Sequence, residues 1–103
     1  MRPSLSVETT LKAFGNNLKV ARLRRRLPQS SIAARAGISL NTLSKIEAGD
    51  PGVSIGNVFS VMSAIGLDIT QLSETVSPAN DLNGLKMESE RLPQRARTPK
   101  QIF

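Results

Sequence analysis

Between residues 9 and 73 of this chain, apolar residues recur at helical spacing, and short turn signals interrupt them. Such a period predicts helices that each bury one face. The first run steps by three or four residues and consists of Leu11, Phe14, Leu18 and Ala21. Because proline is tolerated only in the first turn of a helix, this helix is predicted to end before Pro28.

Three more helices are predicted after Pro28. A short one covers residues 29 to 36, and Gly37 supplies the left-handed backbone of a sharp helix exit. Ser39 caps a third helix, which runs to about Ala48 with Leu43 and Ile46 inward. A fourth begins after a cap and has the most apolar face of the chain, predicted to consist of Ile55, Val58, Phe59, Met62 and Ile65.

Residues 67 to 73 carry two patterns. Asp68 and Gln71 have the spacing of a helical capping box, whereas Leu67 and Ile69 alternate with polar residues as in a strand. Helix is favoured. The chain is thus expected to be all-α, with a flexible lead at 1–8, a four- to five-helix domain at 9–75 and an irregular tail at 76–103, where turn-forming residues and prolines accumulate.

Composition removes most enzyme mechanisms. The 103 residues include no His, Cys, Trp or Tyr, so the commonest general base, the thiolate nucleophile and the usual zinc ligands are missing. The eight acidic residues show no paired-carboxylate spacing, and no glycine-rich phosphate loop occurs. We therefore expect a protein that is not an enzyme and that holds no cofactor and no metal ion.

No apolar run approaches the ~20 residues that span a bilayer, and the N-terminus has no hydrophobic signal core. We expect a cytoplasmic protein with no membrane partner. The absence of cysteine fits that compartment.

Charge is unevenly distributed within the net +6. Residues 1–49 hold nine basic and two acidic residues, and residues 50–90 hold one basic and six acidic residues. Residues 91–103 hold four basic residues and no acidic ones. A basic first half indicates a polyanionic partner, because neutralising phosphates releases counterions. With only three aromatic residues, stacking on single strands is poorly supported.

The second and third helices, joined by a glycine turn, have the layout of a helix-turn-helix. Residues 29–49, QSSIAARAGISLNTLSKIEAG, resemble this motif of the lambda repressor-like (XRE) family, with Gln, Ala, Gly, Ile, Leu and Glu-x-Gly at its spacings. The resemblance covers roughly residues 11 to 72. It implies a helical DNA-binding domain.

The resemblance also implies which residues face bases, because in this family the helix after the turn enters the major groove. The implied base contacts are Ser39, Leu40, Asn41, Ser44 and Lys45. Asn41 can pair with adenine, Lys45 can donate to guanine, and Leu40 can touch a thymine methyl. The alternative is a solvated polar helix face.

Phosphate contacts are expected around this helix. The candidates are Gln29, Ser30, Thr42, Arg24, Arg25, Arg26, Gly52 and Val53, which offer cationic or polar side chains or backbone N–H groups at helix starts. Capping alone is the alternative for Ser30, and a solvated cationic run is the alternative for the three arginines.

Arg22 and Glu47 occupy positions that resemble the family's ion pair between its first and third helices. That pair would fix the recognition helix. The alternative is an exposed pair that contributes under ~1 kcal/mol.

Two residues depart from the family pattern. Arg26 stands where members often have Gly or Asn, so we expect a strained or frayed end to the first helix. Pro28 stands where they usually have Ser or Thr, so the second helix has an unconventional cap.

More narrowly, the loop GDPGVSIG at 49–56, residues 58–67 and LPQRAR at 92–97 resemble HipB-like proteins, the DNA-binding partners of HipA-like kinase toxins. The resemblance implies a homodimeric repressor of a palindromic operator in a toxin-antitoxin operon, with a HipA-like kinase as partner. Tail contacts to DNA or to a protein partner are expected at Arg95, Arg97, Ile102 and Phe103, and the alternative is a disordered end with no task. The alternatives are a toxin-binding module with incidental DNA binding and a phage-type or housekeeping repressor.

Overall fold

The fold comes from a computed structural model that describes residues 3–91, and every regular element in this range is a helix. The α-helices are α1 (Leu5–Arg24), α2 (Gln29–Ala36), α3 (Leu40–Glu47), α4 (Ile55–Ile65), α5 (Thr70–Thr75) and α6 (Leu82–Arg91), with a 3-10 turn at Pro78–Asn80. The all-α fold class is therefore confirmed. Described residues up to Ile69 form one compact unit, and those from Thr70 form a second.

Four helices share the core of the first unit. In it α2 packs mainly against α4, and α1 packs mainly against α3. The buried apolar side chains are Leu18, Ile32, Ala33, Leu43, Ile46, Val61, Met62 and Ile65. Each of the four helices contributes at least one of them. Through Leu43 and Ile46, α3 is part of this shared core.

The ends of α1 to α4 use the same hydrogen-bonded motif. An N–H group two or three residues beyond the last helical residue bonds back to a carbonyl five residues earlier, as in Leu27 to Arg22 (3.2 Å) and Ile38 to Ala33 (3.0 Å). The motif needs a left-handed residue, which is glycine at the ends of α2, α3 and α4. At the end of α1 it is Arg26, with φ of 54°. The expected strain at this helix end is therefore present.

The predicted lead at 1–8 is wrong for its second half, because α1 begins at Leu5. Ser4 caps the helix, and its side chain accepts a hydrogen bond from the Val7 N–H at 3.2 Å. Glu8 adds an acidic group near the positive end of the helix dipole.

The predicted irregular tail is also wrong over residues 82–91, which form α6. Asp81 accepts a hydrogen bond from the Gly84 N–H at 3.0 Å, and its carbonyl accepts from Leu85. This cap offsets the poor helix propensity of Asn83 and Gly84, and the residues that follow include good helix formers. At the start of the second unit, the helix favoured for 67–73 is present but begins at Thr70.

On α4 the predicted inward face is shifted. Ile55, placed inward by the pattern, is 70% exposed, whereas Val61 is fully buried. Because α4 is apolar around much of its circumference, periodicity alone does not select the buried stripe. Ile55 is also the first residue of the helix, where the core ends.

Replacing Arg26 by glycine is expected to stabilise the protein by about 0.5–1 kcal/mol, because relief of left-handed strain outweighs the added freedom of the unfolded chain. The midpoint of denaturant unfolding measures this change. Arg24→Gly, which removes the same charge from a helical residue, is the matched control and is expected to destabilise. Equal destabilisation by both substitutions would contradict the strain at Arg26.

Candidate nucleic-acid interface

The helix α3 divides into a buried and an exposed side. Leu43, Ile46 and Glu47 are buried, whereas the predicted base contacts Leu40, Asn41, Ser44 and Lys45 are exposed. The exposed positions recur at i, i+1, i+4 and i+5, so they share one face of the helix. Leu40 is 51% exposed, and the remaining three side chains carry an amide, a hydroxyl and an ammonium group. This face offers donors, acceptors and one apolar contact to a groove.

Local hydrogen bonds define the start of α3. Ser39 accepts from the Thr42 N–H at 3.0 Å and donates its hydroxyl to Thr42 Oγ1 at 2.9 Å. The Ser39 side chain therefore acts first as a helix cap. Thr42 accepts from Ser39 and keeps its own hydroxyl hydrogen for another acceptor.

A buried cluster fixes the far end of α3. We call it the Arg22 cluster; it consists of Arg22, the Leu27 carbonyl, Gln29 and Glu47. Arg22 donates to both carboxylate oxygens of Glu47, from Nε at 2.7 Å and from Nη2 at 3.1 Å. It also donates to the Leu27 carbonyl at 2.8 Å, and Gln29 donates to Glu47 Oε1 at 3.0 Å.

The cluster joins α1, the turn after it, α2 and α3. Arg22 and Glu47 are only 5% and 8% exposed, so water screens their attraction weakly. The two parallel hydrogen bonds between them also make the contact bidentate. Beside the cluster lies an open depression of about 510 Å³, lined by Lys19, Arg22, Gln29, Ser44, Glu47 and Ala48. Lys19 of α1 and Ser44 of α3 therefore lie on the same surface.

A family model described as helix-turn-helix matches residues 18–72, which is slightly more than half of the chain. The chain belongs to the lambda repressor-like helix-turn-helix family. It is therefore a DNA-binding transcription regulator of this all-helical class. No curated protein and no solved structure matches the chain. Within residues 3–91, no helix combines the length and the apolar character that a membrane crossing requires.

The predicted phosphate residues at the start of α2 lie beside the Arg22 cluster. Pro28 occupies the cap position without a side-chain hydrogen bond, as expected from its departure from the family pattern. Ser30 is exposed, and Gln29 is half-buried with one amide hydrogen given to Glu47. Gln29 therefore has a structural contact that was not predicted. Its second amide hydrogen stays a candidate for the predicted contact to phosphate.

The three predicted arginines at the end of α1 are all exposed. Arg25 folds back to donate to the Ala21 carbonyl at 2.9 Å. Arg24 and Arg26 extend the basic surface at this end of the helix, where Arg26 lies in the strained conformation. The family assignment implies a DNA partner for the chain, and these arginines stay candidates for phosphate contacts.

In the loop after α3, the prediction for Gly52 needs correction. Its N–H already donates to Asp50 Oδ1 at 2.7 Å, so this donor is occupied by a carboxylate within the loop. Val53, half-buried, stays a candidate for a backbone contact. The tail residues Arg95, Arg97, Ile102 and Phe103 lie outside the described residues.

Lys19 is a further candidate for the interface, which the sequence analysis did not name. Its exposed side chain lines the depression with Ser44, one turn before Arg22 on α1. The signal lay in the spacing: Lys19 and Arg22 are three residues apart and therefore share a face of α1. Arg22 was already predicted to pair with Glu47 of α3.

Replacing Glu47 by glutamine is expected to lower the free energy of unfolding by about 2–4 kcal/mol, because the buried guanidinium of Arg22 loses its counter-charge. Chemical denaturation measures the change. Glu88→Gln, at an exposed position of α6, is the matched control and should shift stability by less than about 0.5 kcal/mol. Similar small effects at both positions would mean that the ion pair is dispensable.

Proposed function

We propose that this chain is a sequence-specific autorepressor that binds a palindromic operator as a homodimer, with α3 in the major groove. The observation that carries the proposal is the division of α3 into a buried side and an exposed polar side whose end is fixed by the Arg22 cluster. A recognition helix needs both properties, since base edges are read at hydrogen-bond precision.

Base reading is proposed for the exposed face of α3. Asn41 can make two hydrogen bonds to adenine, and Lys45 can donate to guanine. Leu40 offers an apolar surface to a thymine methyl group. Ser44 adds a hydroxyl to the same face. Ser39, at the start of the helix, adds a second base contact while its side chain also caps the helix.

Phosphate contacts are proposed on both sides of this face. On one side are Lys19, Arg24, Arg25 and Arg26 of α1 and its exit, and on the other are Thr42 and Val53. Between them the start of α2 offers Ser30 and the free amide hydrogen of Gln29, near the positive end of a helix dipole. Such contacts orient a protein on the duplex without reading its sequence.

A homodimer is proposed through α4 and residues 67–76. Around α4, Val58 and Phe59 are only half-buried and Ile55 is exposed, so apolar surface is left for a second copy. A four-helix unit of this size has a small core, which association would extend. Two recognition helices about 34 Å apart would then read the two halves of a palindrome.

The proposed operon is of the toxin-antitoxin type, with this chain as its HipB-like component. The support is the resemblance of the loop at 49–56, of residues 58–67 and of residues 92–97 to HipB-like proteins. On that basis the protein partner is a HipA-like kinase, and binding of the kinase modulates repression. Operator binding excludes polymerase and so limits expression of the operon.

Titration with the DNA upstream of its own gene, and with the same DNA scrambled, tests the proposal. At two salt concentrations, we expect a preference of about 10³-fold or more for the upstream DNA and a steep loss of affinity for both duplexes as salt rises. Equal binding to the two duplexes, or no binding, would contradict an autorepressor.

Substitutions in the same titration separate base contacts from phosphate contacts. Asn41→Ala and Lys45→Ala are expected to weaken binding to the upstream DNA by about 10- to 100-fold and to leave scrambled DNA less affected. Arg24→Ala and Lys19→Ala should weaken both duplexes by similar factors. Lys86→Ala, exposed on α6, is the control with no proposed contact. The reverse pattern would mean that the recognition helix is misplaced.

A further inference from the structure

The backbone of α1 lies close to the backbone at the end of α3 at two glycines, Gly15 of α1 and Gly49 just after α3. A Cβ atom at Gly15 would lie 2.6 Å from the Ile46 carbonyl oxygen and 2.7 Å from that of Glu47. A Cβ atom at Gly49 would lie 2.6 Å from both the Leu11 carbonyl oxygen and the Lys12 Cα. Since these neighbours are backbone atoms, no change of side-chain rotamer relieves the overlap.

Other glycines of the first unit do not share this constraint. Apart from its chain neighbours and its own helix backbone, no heavy atom of the described residues lies within 4 Å of a Cβ built at Gly56, which lies on α4. Gly37 has a left-handed backbone but equally open surroundings. Gly15 therefore reflects close packing alone, Gly49 combines close packing with a left-handed backbone (φ 79°), and Gly37 meets the backbone requirement alone.

These contacts complete a line along α1. Gly49 meets Leu11 and Lys12, Gly15 meets the last residues of α3, and Arg22 holds the Glu47 carboxylate. From Gly15 to Arg22 is about 10 Å along the helix axis. The last turn of α3 is thus held on α1 at several points, two of which allow no side chain.

We propose that Gly15 and Gly49 are positioning residues for DNA reading, because they set the distance between α1 and α3. The inference rests on the proposed function, in which Lys19 and Arg24 of α1 contact phosphates while Asn41 and Lys45 of α3 contact bases. Both sets act together only if the two helices keep one fixed separation. A methyl group at either glycine forces the helices apart by roughly 1 Å, which exceeds the tolerance of a hydrogen bond.

The test compares Gly15→Ala and Gly49→Ala with two controls in the full chain. Gly37→Ala repeats the left-handed strain of Gly49→Ala in open surroundings, and Val61→Ala weakens the core on α4. The probes are the duplex of about 30 base pairs that the wild-type protein selects from a randomised pool, and a scrambled duplex of the same composition. Affinities are measured at a temperature where circular dichroism shows each variant folded.

For Gly15→Ala and Gly49→Ala, we expect the ratio of selected to scrambled affinity to fall by about tenfold or more, while scrambled affinity changes by less than about threefold. For both controls the ratio is expected to stay within about twofold of wild type. The positioning role would be overturned by an unchanged ratio in Gly15→Ala and Gly49→Ala or by an equal fall in Val61→Ala. Failure of both glycine variants to fold would overturn it as well. A wild-type protein that selects no duplex would instead refute the proposed function.

Discussion

A buried guanidinium needs partners for all its donors, and at Arg22 this need connects most of the first unit. Taking a charge out of water costs several kcal/mol unless hydrogen bonds and a counter-charge replace the solvent. Here the counter-charge comes from α3, a carbonyl comes from the turn after α1, and α2 supplies the amide that completes the Glu47 carboxylate. One arginine thus sets the relation between α3, the helix proposed to read DNA, and its two neighbours.

That relation matters because recognition depends on geometry more than on the strength of one contact. The exposed face of α3 carries only a few groups that can reach bases, and each acts over the short range of a hydrogen bond. An apolar pair could match the stability of a buried ion pair, but it would lack the directional, bidentate contact between guanidinium and carboxylate. Close packing at Gly15 and Gly49 adds a second, steric restriction on the same pair of helices.

Sequence reasoning predicts the part of this structure that rests on local signals. Helical periodicity and glycine exits gave α1 to α4 in the correct order, because such signals are contained in a few neighbouring residues. The strained end of α1 was likewise visible in the choice of Arg26. Errors arose where a short-range cap outweighed poor propensity, as Ser4 and Asp81 do at the starts of α1 and α6.

The interface was predictable only where helical spacing carried it. The exposed face of α3 follows from its period, whereas the occupied N–H of Gly52 and the second contact of Gln29 depend on tertiary geometry. Lys19 was missed because its only signal is indirect: it lies three residues before Arg22, which the resemblance places against α3. Its place beside Ser44 arises from the packing of α1 on α3.

A double-mutant cycle on Arg22 and Glu47 tests most directly whether this pair couples the recognition helix to α1. Arg22→Met, Glu47→Met and the double variant are unfolded with denaturant, and their free energies are compared with wild type. We predict that the double variant loses at least about 1.5 kcal/mol less than the sum of the single losses, because each single variant leaves an unpaired buried charge. Losses that add within about 0.5 kcal/mol would contradict the account.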